Sequence, residues 1–114
     1  MLKCERKGHE DIKAVLQTDC NFAQKVTDAS KIFSLLGDES RMKIILALSK
    51  GELCVYHICE ITGAKQSATS QHLRKLKDNN IVKSRKDGNL VLYSLADTHV
   101  SEIVNLTIEH LNCK

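Results

Sequence analysis

The chain has 114 residues, 42% of them hydrophobic and 27% charged, a formal net charge of +3 and five cysteines. Such a chain is the size of one globular domain with a small core, and no apolar run approaches the roughly 20 residues that a membrane-spanning helix needs. The cysteines, at positions 4, 20, 54, 59 and 113, are odd in number and irregular in spacing, which argues against a disulfide framework and leaves burial, thiol chemistry or metal binding.

The start, MLKCERKGHEDIKAV, is charged and lacks the apolar centre of a signal peptide, so a cytoplasmic protein is expected. Residues 1–20 carry weak periodicity and read as an arm with a short helix. Residues 21–114 read as one domain. In NFAQKVTDASKIFSLLG the apolar residues Phe22, Val26, Ala29, Ile32, Phe33 and Leu36 recur at helical spacing up to Gly37. DESRMKIILALSKG begins with Asp38 as an N-cap, runs through Met42, Ile45, Leu46 and Leu48, and ends at Gly51.

A short helix over Val55–Thr62 follows, closed by Gly63. After it AKQSATSQHLRKLKDNN forms another, with Ala68, Leu73 and Leu76 as its apolar marks. Helix, short glycine turn, helix is the helix-turn-helix pattern. The period then changes. IVKSRKDGNLVLYSL places β-branched and aromatic residues on both sides of Lys86-Asp87-Gly88-Asn89, a hairpin signal. The last segment, ADTHVSEIVNLTIEHLNCK, reads as a helix capped near Asp97. Its stripe of Val100, Ile103, Val104, Ile108 and Leu111 must be buried against the domain or a second subunit. The expected fold is mainly α with a β-hairpin wing: a winged helix-turn-helix.

The charge is local. Between Lys65 and Lys86 there are seven basic residues and one acid, Asp78. In a helix-turn-helix the second helix enters the major groove of DNA and its first turns face base edges. Those turns carry Gln66, Ser67, Thr69, Ser70 and Gln71, which suit base or phosphate contacts. Lys65, Arg74, Lys75 and Lys77 reach for the backbone, and Lys86 and Asn89 at the hairpin tip for phosphate or the minor groove. His72 is expected to pack between helices. No nucleophile–base arrangement stands out, so an enzyme is not expected.

Several of these stretches resemble the ArsR/SmtB family of bacterial metal-responsive repressors: LLGDESRMKIILAL its second-helix signature, ELCV its metal-box segment, SATSQHLRKLKDNNIVKSRKDGNLVLYSL its recognition helix and wing, and DTHV…IEHLNC its metal-binding last helix. The similarity spans about residues 22–113. It implies a homodimer, joined through the terminal helices, that represses an operator until an effector binds. The usual target is an efflux or sequestration operon.

The last helix then becomes a candidate metal centre. His99 and His110 share a helical face, as do His110 and Cys113, but eleven residues rise about 16 Å, far beyond metal–nitrogen bonds of about 2 Å. An antiparallel pair of helices solves this: Asp97 and His99 from one subunit meet His110 and Cys113 from the other, in two equal sites suited to tetrahedral zinc. The resemblance carries over at Asp97, His99 and His110. The fourth position usually holds His or Glu, and Cys113 would favour cadmium and other thiophilic ions.

In GELCVYHICE, Cys54 and His57 share a face, and Cys59 lies about 140° round from Cys54. Cys4 and His9 in the arm are spaced much like a pair some family members donate, so Cys4, His9, Cys54 and His57 form a second candidate site. Tyr56 and His57 stand where relatives often have a second Cys and an Asp. Cys59 reads as a buried small hydrophobe. The alternative is a thiol redox sensor or an arsenite sensor of the same fold. Cys54 with Cys59 resembles an arsenite pair without its intermediate Cys.

Overall fold

A computed structural model of the chain describes residues 10–14 and 20–112. Residues 10–14 are helical. The elements that follow are α1 (Cys20–Leu36), α2 (Glu39–Leu48), β1 (Leu53–Cys54), α3 (Val55–Thr62), α4 (Gln66–Asp78), β2 (Val82–Asp87), β3 (Leu90–Leu95) and α5 (His99–Asn112). The chain falls into two units that divide between Ser34 and Leu35, within α1. Among the described residues no helix is long and apolar enough to cross a membrane.

In the first unit, α1 leaves Phe22, Val26 and Phe33 substantially exposed. The second unit holds the core. Leu36, Ile44, Ile45 and Leu48 are buried, as are Ile58 of α3, Leu73 and Leu76 of α4, and Val104 of α5. Each such side chain contributes about 1.5–3 kcal/mol by leaving water. α2 starts where the sequence indicates. Asp38 is extended (φ −114°, ψ 128°) and its carboxylate accepts the Arg41 N–H at 3.0 Å. That bond is the main reason the Asp38 carboxyl sits below its ordinary pKa.

α3 stops at Gly63, whose left-handed φ of 74° lets its N–H reach the Cys59 carbonyl at 2.8 Å. α4 stops at Asn79-Asn80. Asn80 takes φ 60°, and the Ile81 N–H returns to the Leu76 carbonyl at 2.9 Å, which drops Ile81 into the core. The chain then turns into the hairpin. Val82 pairs with Leu95 and Asp87 with Leu90, leaving Gly88-Asn89 as a two-residue loop with Gly88 at φ 64°. Asp87 is thus the last paired residue of its strand rather than part of the turn.

The strand β1 has no counterpart in the sequence expectations. Leu53 and Cys54 pair antiparallel with Tyr93 and Leu92, so β3 is central in a sheet of order β1-β3-β2. Two residues carry no period, and only the fold brings them to the wing. α5 buries its first half through Ser101 and Val104, with Val100 and Ile103 partly covered. Its second half leaves Leu106, Ile108 and Leu111 exposed. The stripe read from the sequence is therefore only half covered by the chain's own core.

Candidate nucleic-acid interface and metal centres

α4 begins without a side-chain cap. Lys65 is its extended N-cap residue, and no acid occupies the first turn. The first-turn N–H groups therefore have no carboxylate of that turn and no N-cap side chain to satisfy them, an arrangement that favours a phosphate. Lys65, Gln66, Ser67, Ser70, Gln71, Arg74 and Lys75 are all exposed, so the helix presents its polar and basic side to solvent. At the far end of the hairpin Lys86 and Asn89 are also exposed.

Thr69 departs from the reading of the sequence. It was expected among the outward-facing residues, yet it is fully buried. Four and seven residues before Leu73 and Leu76, it lies on their inward face, and its hydroxyl cannot meet a base edge. Ala68, expected in the core, is only partly covered.

Three polar contacts tie the interface together, and the sequence indicated none of them. Arg85 of β2 forms a two-pronged ion pair with Glu52, both bonds 2.8 Å. The hydrogen bond from Arg85 lowers the Glu52 pKa, and Glu52 in turn raises that of Arg85. Glu52 immediately precedes β1, so this contact became visible only with that strand in place. Lys77 of α4 donates to Ser84 Oγ of β2 at 2.8 Å. Arg41 of α2 donates from Nε to His72 Nδ1 of α4 at 3.2 Å.

The candidate metal ligands fall into two pairs. At the start of α5, Asp97 Oδ1 accepts the His99 N–H at 2.9 Å and lies 3.3 Å from His99 Nδ1, with both side chains well exposed. Bonds of about 2 Å in a tetrahedral zinc site place neighbouring ligand atoms about 3.3 Å apart, so the spacing of this pair is compatible with two ligands on one ion. His110 is exposed near the other end of the same helix. Cys113 lies outside the described residues. At the start of α3, Cys54 Sγ is 3.4 Å from His57 Nδ1, a spacing that suits a thiolate and an imidazole on one ion. Cys54 is buried and His57 exposed. Cys4 and His9 lie outside the described residues. Cys59 is partly covered and belongs to neither pair. Among the described residues no three candidate ligands come together.

A helix-turn-helix whose second helix carries an uncapped, basic outer side, followed by a hairpin wing, is a DNA-binding architecture. Residues 38–84 match the arsR family of bacterial regulatory proteins. The chain is 43% identical over 88 residues to the cadmium resistance transcriptional regulatory protein CadC homolog of Staphylococcus aureus, covering 76% of this chain and 73% of that protein. It is 39% identical over 82 residues to the transcriptional repressor SmtB homolog of Synechocystis, covering 72% and 62%. Its fold matches that of a homodimeric winged helix-turn-helix DNA-binding domain from Mycobacterium bovis, with a TM-score of 0.74 at 23% identity over 82% of this chain and 87% of that one. The chain belongs to the arsR family of bacterial transcriptional regulators, a family of DNA-binding proteins and not of enzymes.

Proposed function

We propose that this chain is a cytoplasmic metal-sensing repressor that binds operator DNA as a homodimer and leaves it when zinc, or a similar ion such as cadmium, is bound. It would thereby control metal efflux or resistance genes. The observation that carries the reading is α5, with Asp97 and His99 at tetrahedral-edge spacing at one end, His110 near the other, and the exposed Leu106 between them on the side of the two histidines. One helix cannot bring these ends together, because eleven residues rise about 16 Å. Two antiparallel copies pair Asp97 and His99 of one protomer with His110 and Cys113 of the other, and cover Leu106 and the partly covered Ile103, which lie on the helical side of the two histidines, in the same step. Bound there, a divalent ion supplies a rigid cross-link between protomers. The two recognition helices must match successive major grooves, so a change in the angle between protomers weakens DNA binding. Cys54 and His57, with Cys4 and His9 from the arm, form a second proposed site.

The test is a zinc and a cadmium titration of the protein bound to a duplex that it selects from a randomised pool. Release of wild type by about 5- to 150-fold in affinity is expected, the ordinary range of allosteric coupling. The His99→Ala variant should stay bound at saturating zinc, and Cys54→Ser should still respond. Unchanged affinity of the wild type at saturating metal refutes the mechanism.

A further inference from the structure

α4 is held by more than its apolar side. Its midpoint is tied to the first turn of α2 by the bond from Arg41 Nε–H to His72 Nδ1, both side chains being part-buried. Arg41 is itself fixed. Its Nη1 donates to the Leu35 carbonyl at 3.3 Å, and its backbone N–H donates to Asp38 Oδ2 at 3.0 Å. A guanidinium anchored in one helix thus meets an imidazole on the helix that carries the DNA-reading residues.

The chemistry of that contact allows one protonation state. A guanidinium only donates and stays charged, so His72 Nδ1 must hold a lone pair and the ring proton must sit on Nε2. A second proton turns both ring nitrogens into donors and sets two positive charges against each other. Charged groups beside His72 are Arg41 of α2, Asp38 at the N-cap of that helix and, three residues further along α4, Lys75. The Asp38 carboxyl interacts with both the imidazole and Arg41.

We infer that the Arg41–His72 hydrogen bond is a proton-sensitive latch that sets the recognition helix for DNA, with His72 as a positioning residue whose neutral form is DNA-competent. The inference rests on the DNA-binding reading above. DNA that prefers the latched state binds with an apparent Kd divided by the latched fraction, and acid lowers that fraction. A histidine that merely faced phosphates would act in the opposite direction, because gaining a charge strengthens the attraction. The sign of the pH dependence therefore separates the two roles.

The experiment compares affinity of the metal-free protein for its pool-selected duplex at about pH 7.5 and about pH 5.5, the range in which imidazoles titrate, at fixed salt and with circular dichroism confirming the fold at both. Wild type should bind roughly fivefold more weakly in acid. His72→Asn places a non-titrating acceptor near the position of Nδ1. It should match wild type at the higher pH and keep that affinity at the lower. His72→Gln moves the acceptor to the Nε2 end of the side chain and should bind roughly fivefold more weakly at both. Imidazole 15N shifts of the wild type should place the proton on Nε2, a readout independent of any variant's folding. Wild-type affinity that is flat or rises in acid, an acid loss retained in His72→Asn, or a proton on Nδ1 overturns the latch. If wild type selects no sequence and binds no duplex at either pH, the DNA-binding reading fails and the latch with it.

Discussion

Thr69→Val tests which way the recognition helix faces. Thr69 is fully buried, and its hydroxyl has no hydrogen-bond partner among the described residues. A buried hydroxyl without a partner costs about 1–3 kcal/mol. Valine keeps the shape and the β-branch, and its helix propensity is close to that of threonine. The gain is set near the lower end, about 1 kcal/mol, because a small side-chain rotation lets the hydroxyl reach a carbonyl one turn back. In a domain of this size that raises Tm by about 4–8 °C. Urea unfolding measures it through a shifted midpoint at unchanged slope. Protein concentration must be held fixed, since an associating chain melts at a concentration-dependent midpoint. Affinity for the selected duplex should not move. A loss of about 1 kcal/mol or more would mean that the hydroxyl is bonded in the folded protein. A tenfold or greater loss of DNA affinity at intact stability, about 1.4 kcal/mol, would mean that the residue faces DNA.

Asp38→Ala removes the cap of α2 and should cost about 1 kcal/mol at neutral pH. The folded-state pKa of Asp38 is depressed, so its contribution is full above the unfolded value of 3.8 and is lost as pH falls through the folded one; the gap between wild type and variant in urea melts should close in acid. Gly63→Ala puts a side chain at φ +74° with nothing within 4 Å of the new Cβ. The expected cost is backbone strain alone, about 1 kcal/mol in the same melts. Glu52→Gln frees Arg85 from its two-pronged partner. If Arg85 then reaches a phosphate, the slope of log affinity against log salt steepens by about one, and an unchanged slope places Arg85 away from DNA.

The elements most legible in the sequence are those with a long period or a strong punctuating residue. The Asp38 cap, the Gly63 stop and the change of period at Ile81 each map onto an observed boundary. Two kinds of feature were not legible. Thr69 looked like a polar surface residue because its side chain is polar, whereas the helical phase set by Leu73 and Leu76 puts it inside. The phase was the better guide, since a helix buries positions before it buries residue types. The contacts Glu52–Arg85 and Arg41–His72 join residues 33 and 31 positions apart. No local pattern encodes such pairs, and the first also needed the two-residue strand β1 to bring its partners onto one sheet.

The candidate metal residues show the same division at a larger scale. Neighbours in sequence are placed well by local geometry: Asp97 beside His99 across the start of α5, and Cys54 beside His57 across the start of α3. Each pair is two ligands, and tetrahedral zinc takes four. At α5 the other half belongs, in the proposed dimer, to a second copy, and the surface that would admit that copy is the side of α5 that carries Leu106 and the partly covered Ile103 beside the two histidines. Burying such side chains stabilises association by an amount comparable to burying them in a core, about 1.5–3 kcal/mol each before the entropy of association is subtracted. Pairing the helices and completing the ligand set would then be one event, so a ligand that favours one arrangement of the paired helices is coupled to the spacing of the two recognition helices through the same contact.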